Sequence, residues 1–324
     1  MSITSDDNLS IGLRVRPLTR KEQHPSRQES LCTDKETNSV TLLSQGTTYT
    51  YDFVADQHTT QEELFRKVGQ PLLEACSKGR NGSVIAYGQT GSGKTYTIMG
   101  DDLDNSSKGL LPRCCDYLFK QQEVRGITVT FLEIYQEQIY DLFSSTKEAL
   151  QIREDNREGA YVEGLTRIRA ESLGNAYEIM LRGCQRRHTD EHNEYSRSHS
   201  VFTLTVEMAE ASPKLHFVDL AKSERQTVDT QLGVRLKEPG QINKSLSALG
   251  IVINALAEGK ARHVSYRDSK LTLLLKDAFV GNGKTFIITN INPDPSSIEE
   301  TMFALNFAAR AKPCLLYTSD AADE

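Results

Sequence analysis

The residues in this chain best suited to chemistry are the eight from Gly88 to Thr95, GQTGSGKT, which carry the spacing G-x-x-x-x-G-K-[ST]. Gly88, Gly91 and Gly93 let the backbone curl tightly, so that successive N–H groups point inward at an anion. Gln89, Thr90 and Ser92 complete the turn. Lys94 offers an ammonium to the β- and γ-phosphates of a nucleotide, and Thr95 offers a hydroxyl to Mg²⁺. Such a loop works only between a strand and a helix. The apolar run Ser83-Val84-Ile85-Ala86-Tyr87 supplies the strand, and a helix is expected to begin at the end of the loop. The chain is expected to bind a nucleoside triphosphate.

The elements that must hold this loop follow from periodicity. β-rich runs recur at Ile127–Tyr135, Val201–Met208, Leu215–Leu220 and Thr285–Ile291, with helical segments at Gln61–Ala75 and Ile242–Ala257 between them. Strands alternating with helices around a phosphate loop predict an α/β fold of the P-loop NTPase kind. Its central sheet is expected to carry helices on both faces. Ile242, Leu246, Leu249, Ile253 and Leu256 recur at helical spacing and read as a core stripe. The opposite face presents Asn243, Lys244, Ser247 and Asn254. No repeat or linker divides the chain, so one domain is expected.

Composition excludes several classes. A hydrophobic fraction of 38% and a charged fraction of 25% suit a soluble domain with a large core. No apolar run reaches the roughly 20 residues of a membrane span. The polar start MSITSDDNLS is not a secretory or transit signal, and six irregularly spaced cysteines form no zinc pattern. The net charge of −6 argues against a nucleic-acid partner. Between Gly233 and Lys284, however, nine Lys/Arg stand against four Asp/Glu, a local excess suited to an acidic partner.

Two further motifs sharpen the reading. Ser196-Arg197-Ser198-His199 precedes one strand, and Asp219-Leu220-Ala221-Lys222-Ser223-Glu224-Arg225 follows the next. With the loop they resemble the switch patterns SSRSH and DLAGSER of kinesin motor domains. The resemblance runs nearly to Pro313. It takes in RVRP (Arg14–Pro17), GLLPR (Gly109–Arg113), FLEIYQEQIYDL (Phe131–Leu142), RLKE (Arg235–Glu238), INKSLSALG (Ile242–Gly250), YRDSKLT (Tyr266–Thr272) and NFAARAK (Asn306–Lys312). It implies a motor domain over 1–313, built on a mixed, mostly parallel central sheet, that hydrolyses MgATP and binds microtubules and is located on the cytoplasmic cytoskeleton. Arg14, Arg16 and Pro17 would border the adenine, with Tyr96 as a stacking face. Thr95 and Ser196 would ligate Mg²⁺, and Asp219 would hold it through water. Arg197 and Glu224 would close across the γ-phosphate. Lys237, Asn243, Lys244, Arg262, His263, Tyr266, Arg267 and Lys270 would face tubulin. The end of the chain, CLLYTSDAADE (314–324), resembles a translated sequencing adapter and is set apart from the domain. Neck, dimerisation and cargo segments are expected to lie outside these residues.

The sequence also departs from the family pattern. Lys222 stands where DLAGSER has glycine, which is expected to slow hydrolysis strongly and keeps open a second reading, a nucleotide-holding microtubule attachment module. If the position required φ > 0, strain would add about 1–2 kcal/mol. Tyr195 replaces the first switch serine. Asn193 and, on a gapless reading, His192 compete for the family's switch asparagine, and neither is assigned. Pro239 replaces a glycine after RLKE, and Leu273 replaces an arginine after YRDSKLT. A GTPase-type switch unrelated to tubulin would leave INKSLSALG and YRDSKLT without a role.

Overall fold

The computed structural model describes residues 8–23, 29–101, 105–146, 148–155, 159–188, 197–224, 239–257, 264–280 and 283–311. The chain opens with β1 (Leu9–Val15), followed by an outlying antiparallel sheet of β2 (Leu31–Asp34), β3 (Ser39–Leu42) and β4 (Thr47–Thr50), then β5 (Phe53–Ala55). The helix expected at Gln61–Ala75 forms in two α-helical pieces, α1 (Gln61–Leu64) and α2 (Gln70–Ser77), joined by one π-helical stretch, Phe65–Gly69. Thr60 and Glu63 start it with a reciprocal capping box. The Phe65 ring lies over Gly69, where a Cβ would come within 2.2 Å of it. The wider turn and the missing side chain occur together there.

β6 (Gly82–Tyr87) is buried along its whole length, as its unbroken apolar run predicts for a strand covered on both faces. After it come α3 (Lys94–Ile98), α4 (Leu110–Leu118), β7 (Gly126–Tyr135) and β8 (Gln138–Asp141). The hairpin of β9 (Ile152–Asp155) and β10 (Gly159–Val162), then β11 (Ile168–Ala170) and α5 (Leu173–His188), lead to β12 (His199–Glu207) and β13 (Lys214–Asp219). The chain closes with α6 (Pro239–Ala257), α7 (Lys270–Leu274), α8 (Lys276–Val280), β14 (Lys284–Ile291) and α9 (Ile298–Ala311).

The main sheet runs β11-β7-β12-β13-β6-β14-β1-β5, with β8 also on β7. The strands β13, β6, β14, β1 and β5 pair in parallel, whereas β12, β7, β8 and β11 pair antiparallel, so the sheet is mixed as expected. One core lies beneath α1, α2, α4 and α5, and the other beneath α6, α7 and α9. In the expected stripe of α6, Leu249 and Ile253 are buried and Leu246 packs against the core; the side chains of Ile242 and Leu256 lie outside the described residues. Because the loop-bearing half is parallel, β6, β13, β14 and β1 all end on one edge. Gly88, Asp219, Asn290 and Arg14 are therefore gathered there from positions far apart in sequence.

Candidate functional site

The loop Gly88–Thr95 leaves β6 and enters α3 through glycines whose conformations no other residue adopts readily. Gly88 has φ +143°, and a Cβ there would lie 2.2 Å from the Asn290 carbonyl oxygen; Gly93 has φ +96°. Lys94 turns its Nζ back into the loop, donating to the carbonyls of Gly88 and Gln89 at 2.9 Å each. Ser92 donates to the Gln89 carbonyl at 2.8 Å, and Gln89 is itself buried. Burial, more than any neighbouring charge, pulls the Lys94 ammonium below the usual lysine range. Asp219 and Glu224 oppose that shift, and Arg187 and Lys222 add to it.

Thr95 and Asp219, both expected at the Mg²⁺, meet directly. The Thr95 hydroxyl donates to Asp219 Oδ2 at 2.7 Å, across 124 residues of sequence. A hydroxyl and a carboxylate are the hard oxygen donors Mg²⁺ takes, so the residues present fit that ion. The same Oδ2 accepts from Arg187 Nη1 at 2.9 Å. Arg187, on α5, also donates to the Ser198 carbonyl at 3.2 Å and lies 3.9 Å from Glu133. The Ser198 hydroxyl donates to Glu133. A buried cation thus joins α5, β7 and both switch motifs, and sequence reasoning missed it because Arg187 lies outside every motif.

Both switch segments also meet at His199. Its Nδ1 accepts from the Ala221 N–H at 3.0 Å, which leaves Nε2 to donate to Ser245 Oγ at 2.7 Å on α6. Burial chiefly, then the Arg187 charge, holds its pKa at about 3. Burial, then Lys214, holds His216 at about 4. Both values lie below the unfolded value of about 6.5, so the unfolded chain binds more protons in between. Stability should therefore be full above pH 6.5 and fall as pH drops toward those values. A urea midpoint measured between pH 7.5 and pH 5, above the range where most carboxylates titrate, is expected to fall steadily; a flat profile would contradict the assignment.

The second switch leans on the loop. Ser223 N donates to the Gly88 carbonyl at 3.3 Å. Glu224 accepts from Thr90 N at 2.8 Å and from Thr90 Oγ1 at 3.1 Å, while Lys222 Nζ lies 3.5 Å from Glu224 Oε2. The expected Arg197–Glu224 bridge is therefore not the pairing this structure holds, since Thr90 and Lys222 take the carboxylate instead. Lys222 is not among the residues with positive φ, so backbone strain plays no part at that position here.

The expected adenine border is partly internal. Arg14 is buried, donates to Thr97 Oγ1 at 2.9 Å, and sits 5.2 Å from the Tyr96 ring centroid, its pKa drawn down to about 10 by burial. It supports Tyr96, which stays 42% exposed, and offers no contact surface of its own. Arg16 is clamped to both Glu22 oxygens and donates to the Gly91 carbonyl at 2.6 Å and the Pro17 carbonyl at 2.8 Å. It braces the loop rather than standing free.

Of the expected partner face, Lys244 is exposed on α6. Tyr266 is buried, which corrects its assignment as a contact: the ring supports the face from within. Arg267 is exposed and donates through two nitrogens to Glu154 on β9, at 3.1 and 2.5 Å. Lys270 reaches Gln151 at 3.5 Å. Ser196, Lys237, Arg262, His263, Tyr195, Asn193, His192, the side chains of Pro239 and Asn243, and 314–324 lie outside the described residues.

A family model described as the kinesin motor domain matches residues 14–314. Kinesin-like protein KIF15 of Rattus norvegicus is 42% identical over 338 residues, covering 95% of this chain and 24% of that protein. Kinesin-like protein KIN-12E of Oryza sativa subsp. japonica is 42% identical, covering 95% of this chain and 18% of its own length. The chain thus spans about a quarter or less of these relatives. A solved structure titled as that of a fast kinesin, with implications for ATPase mechanism and interactions with microtubules, superposes with a TM-score of 0.86. It is 36% identical, and the match covers 95% of this chain and 92% of that one.

Proposed function

The chain belongs to the kinesin family of motor domains, and from that membership we propose that it binds MgATP and microtubules, with hydrolysis coupled to switch movement and microtubule affinity. The observation that carries this reading is the Thr95–Asp219 pair at 2.7 Å, formed beside Lys94 where four parallel strands end. ATP is the substrate, and Mg²⁺ supplies charge neutralisation at its phosphates. Lys94 would bind the β- and γ-phosphates, and Thr95, Ser196 and Asp219 would hold the ion. Arg197 and Glu224 position the attacking water, because phosphoryl transfer depends mainly on placement and charge stabilisation. Tyr96 offers its exposed ring to the base, with Arg14 beneath and Arg16 and Pro17 at the border.

The face for tubulin comprises Lys237, Asn243, Lys244, Arg262, His263, Arg267 and Lys270, with Tyr266 as internal support. Attraction between this basic face and an acidic partner weakens as salt screens it. Co-sedimentation with microtubules is therefore expected to fall steeply between 25 and 200 mM KCl. Lys244→Glu should reduce binding several-fold at the low-salt end, with a shallower salt slope. Binding that ignores both salt and Lys244→Glu would contradict the assigned face.

Lys222 favours a second reading, in which the chain holds nucleotide and microtubule but turns over slowly. The backbone N–H at this position is the donor expected to meet the γ-phosphate. A lysine side chain restricts how that donor can swing.

A further inference from the structure

We propose that Lys222 is a ligand for the terminal phosphate of a nucleoside triphosphate, forming with Lys94 a two-lysine clamp in which Glu224 is the exchangeable partner. This deepens the proposed function and rests on it. Lys222 Nζ lies 3.5 Å from Glu224 Oε2, and the same carboxylate accepts the N–H and hydroxyl of Thr90 in the phosphate loop. One anionic group therefore stands between a lysine of the second switch and the loop. The Ser223 N–H on the Gly88 carbonyl, 3.3 Å, fixes the adjoining backbone against the start of that loop. Lys94 holds the same loop through the Gly88 and Gln89 carbonyls.

The Lys222 and Lys94 charges act on each other at this loop, and two ammonium groups repel unless an anion offsets them. A single carboxylate carries one negative charge, whereas the terminal phosphate of a triphosphate carries more and has three oxygens. Carboxylate and phosphate oxygens accept the same hydrogen bonds, so the phosphate can replace Glu224 on Thr90. Lys222 would then lose its carboxylate and gain the phosphate, a charge-assisted contact that a diphosphate cannot provide. The clamp thus discriminates between nucleotides by the phosphate that hydrolysis removes. Such contacts hold the ground state as firmly as the transition state, so they tighten binding without speeding the reaction.

The test is the ratio of two affinities on the full chain with Mg²⁺: that for the non-hydrolysable analogue adenylyl imidodiphosphate over that for ADP. Lys222→Met should lower this ratio about tenfold or more while ADP affinity stays within a few-fold, the range for losing one charged hydrogen bond. Lys222→Arg should keep most of the preference. Glu224→Gln should move the ratio the other way, because a weaker competitor then sits on Thr90; this second variant decides the matter if Lys222→Met does not fold. A ratio unchanged in Lys222→Met, or lowered in Glu224→Gln, overturns the clamp. A wild-type chain that binds neither nucleotide would instead overturn the proposed function, and so the two failures are separable.

Discussion

Replacing Lys222 with glycine is expected to raise MgATP turnover by about 10²–10³-fold, the range measured when one well-aimed donor is lost or restored at a reacting centre. Lys222 keeps its N–H, but two features of its setting work against using it. Its side chain is held to Glu224, and Glu224 is held to Thr90. When a triphosphate displaces Glu224 the ammonium passes to the phosphate, so the side chain tethers this backbone N–H in either state. Glycine removes this tether and frees the backbone dihedrals. Relief of strain is not the source of the gain, because Lys222 has no positive φ to relieve. Single-turnover phosphate release from wild type and Lys222→Gly under identical conditions checks this. Equal rates would show that the lysine is tolerated and would remove the ground for the slow-turnover reading.

Arg187→Met is expected to destabilise the fold by about 3–5 kcal/mol, the usual cost of breaking a buried ion pair from one side. Asp219 Oδ2 is 2.9 Å from the guanidinium, Glu133 is 3.9 Å away, and all three side chains are largely buried. Removing the cation leaves two carboxylates with less compensation in a low-dielectric setting. The Ser198 carbonyl also loses a donor. Asp219 would then lose the donor that holds its carboxylate beside Thr95, so nucleotide affinity should fall along with stability. Chemical denaturation and nucleotide titration of wild type and Arg187→Met test both effects. A change below about 1 kcal/mol, the size typical of a surface ion pair, would contradict the assigned role.

How far the sequence revealed this molecule depends on whether the cause of each feature was local. β6 was legible because six consecutive buried residues leave no other pattern for a strand covered on both faces. The loop was legible because its spacing lies within eight residues. The outlying strands β2 and β4 were not anticipated, since they are short and largely exposed and lack a strong apolar signal. The π-helical turn was also hidden, because it depends on the packing of Phe65 over Gly69. Within the site, Arg187 and the Glu224–Thr90 contact arise only when segments 32 and 134 residues apart are brought together. His199 lay in plain view inside SRSH. Its link between Ala221 and Ser245 depends on a helix that the motif does not contain.

Phosphate release from MgATP by the wild-type chain, measured as microtubules are titrated in, tests most directly whether hydrolysis is coupled to the microtubule. A low basal rate that microtubules raise is expected, at a level well below that of Lys222→Gly measured alongside. No rise with microtubules in either protein would contradict the coupling of hydrolysis to the microtubule, which is the claim on which the functional reading rests.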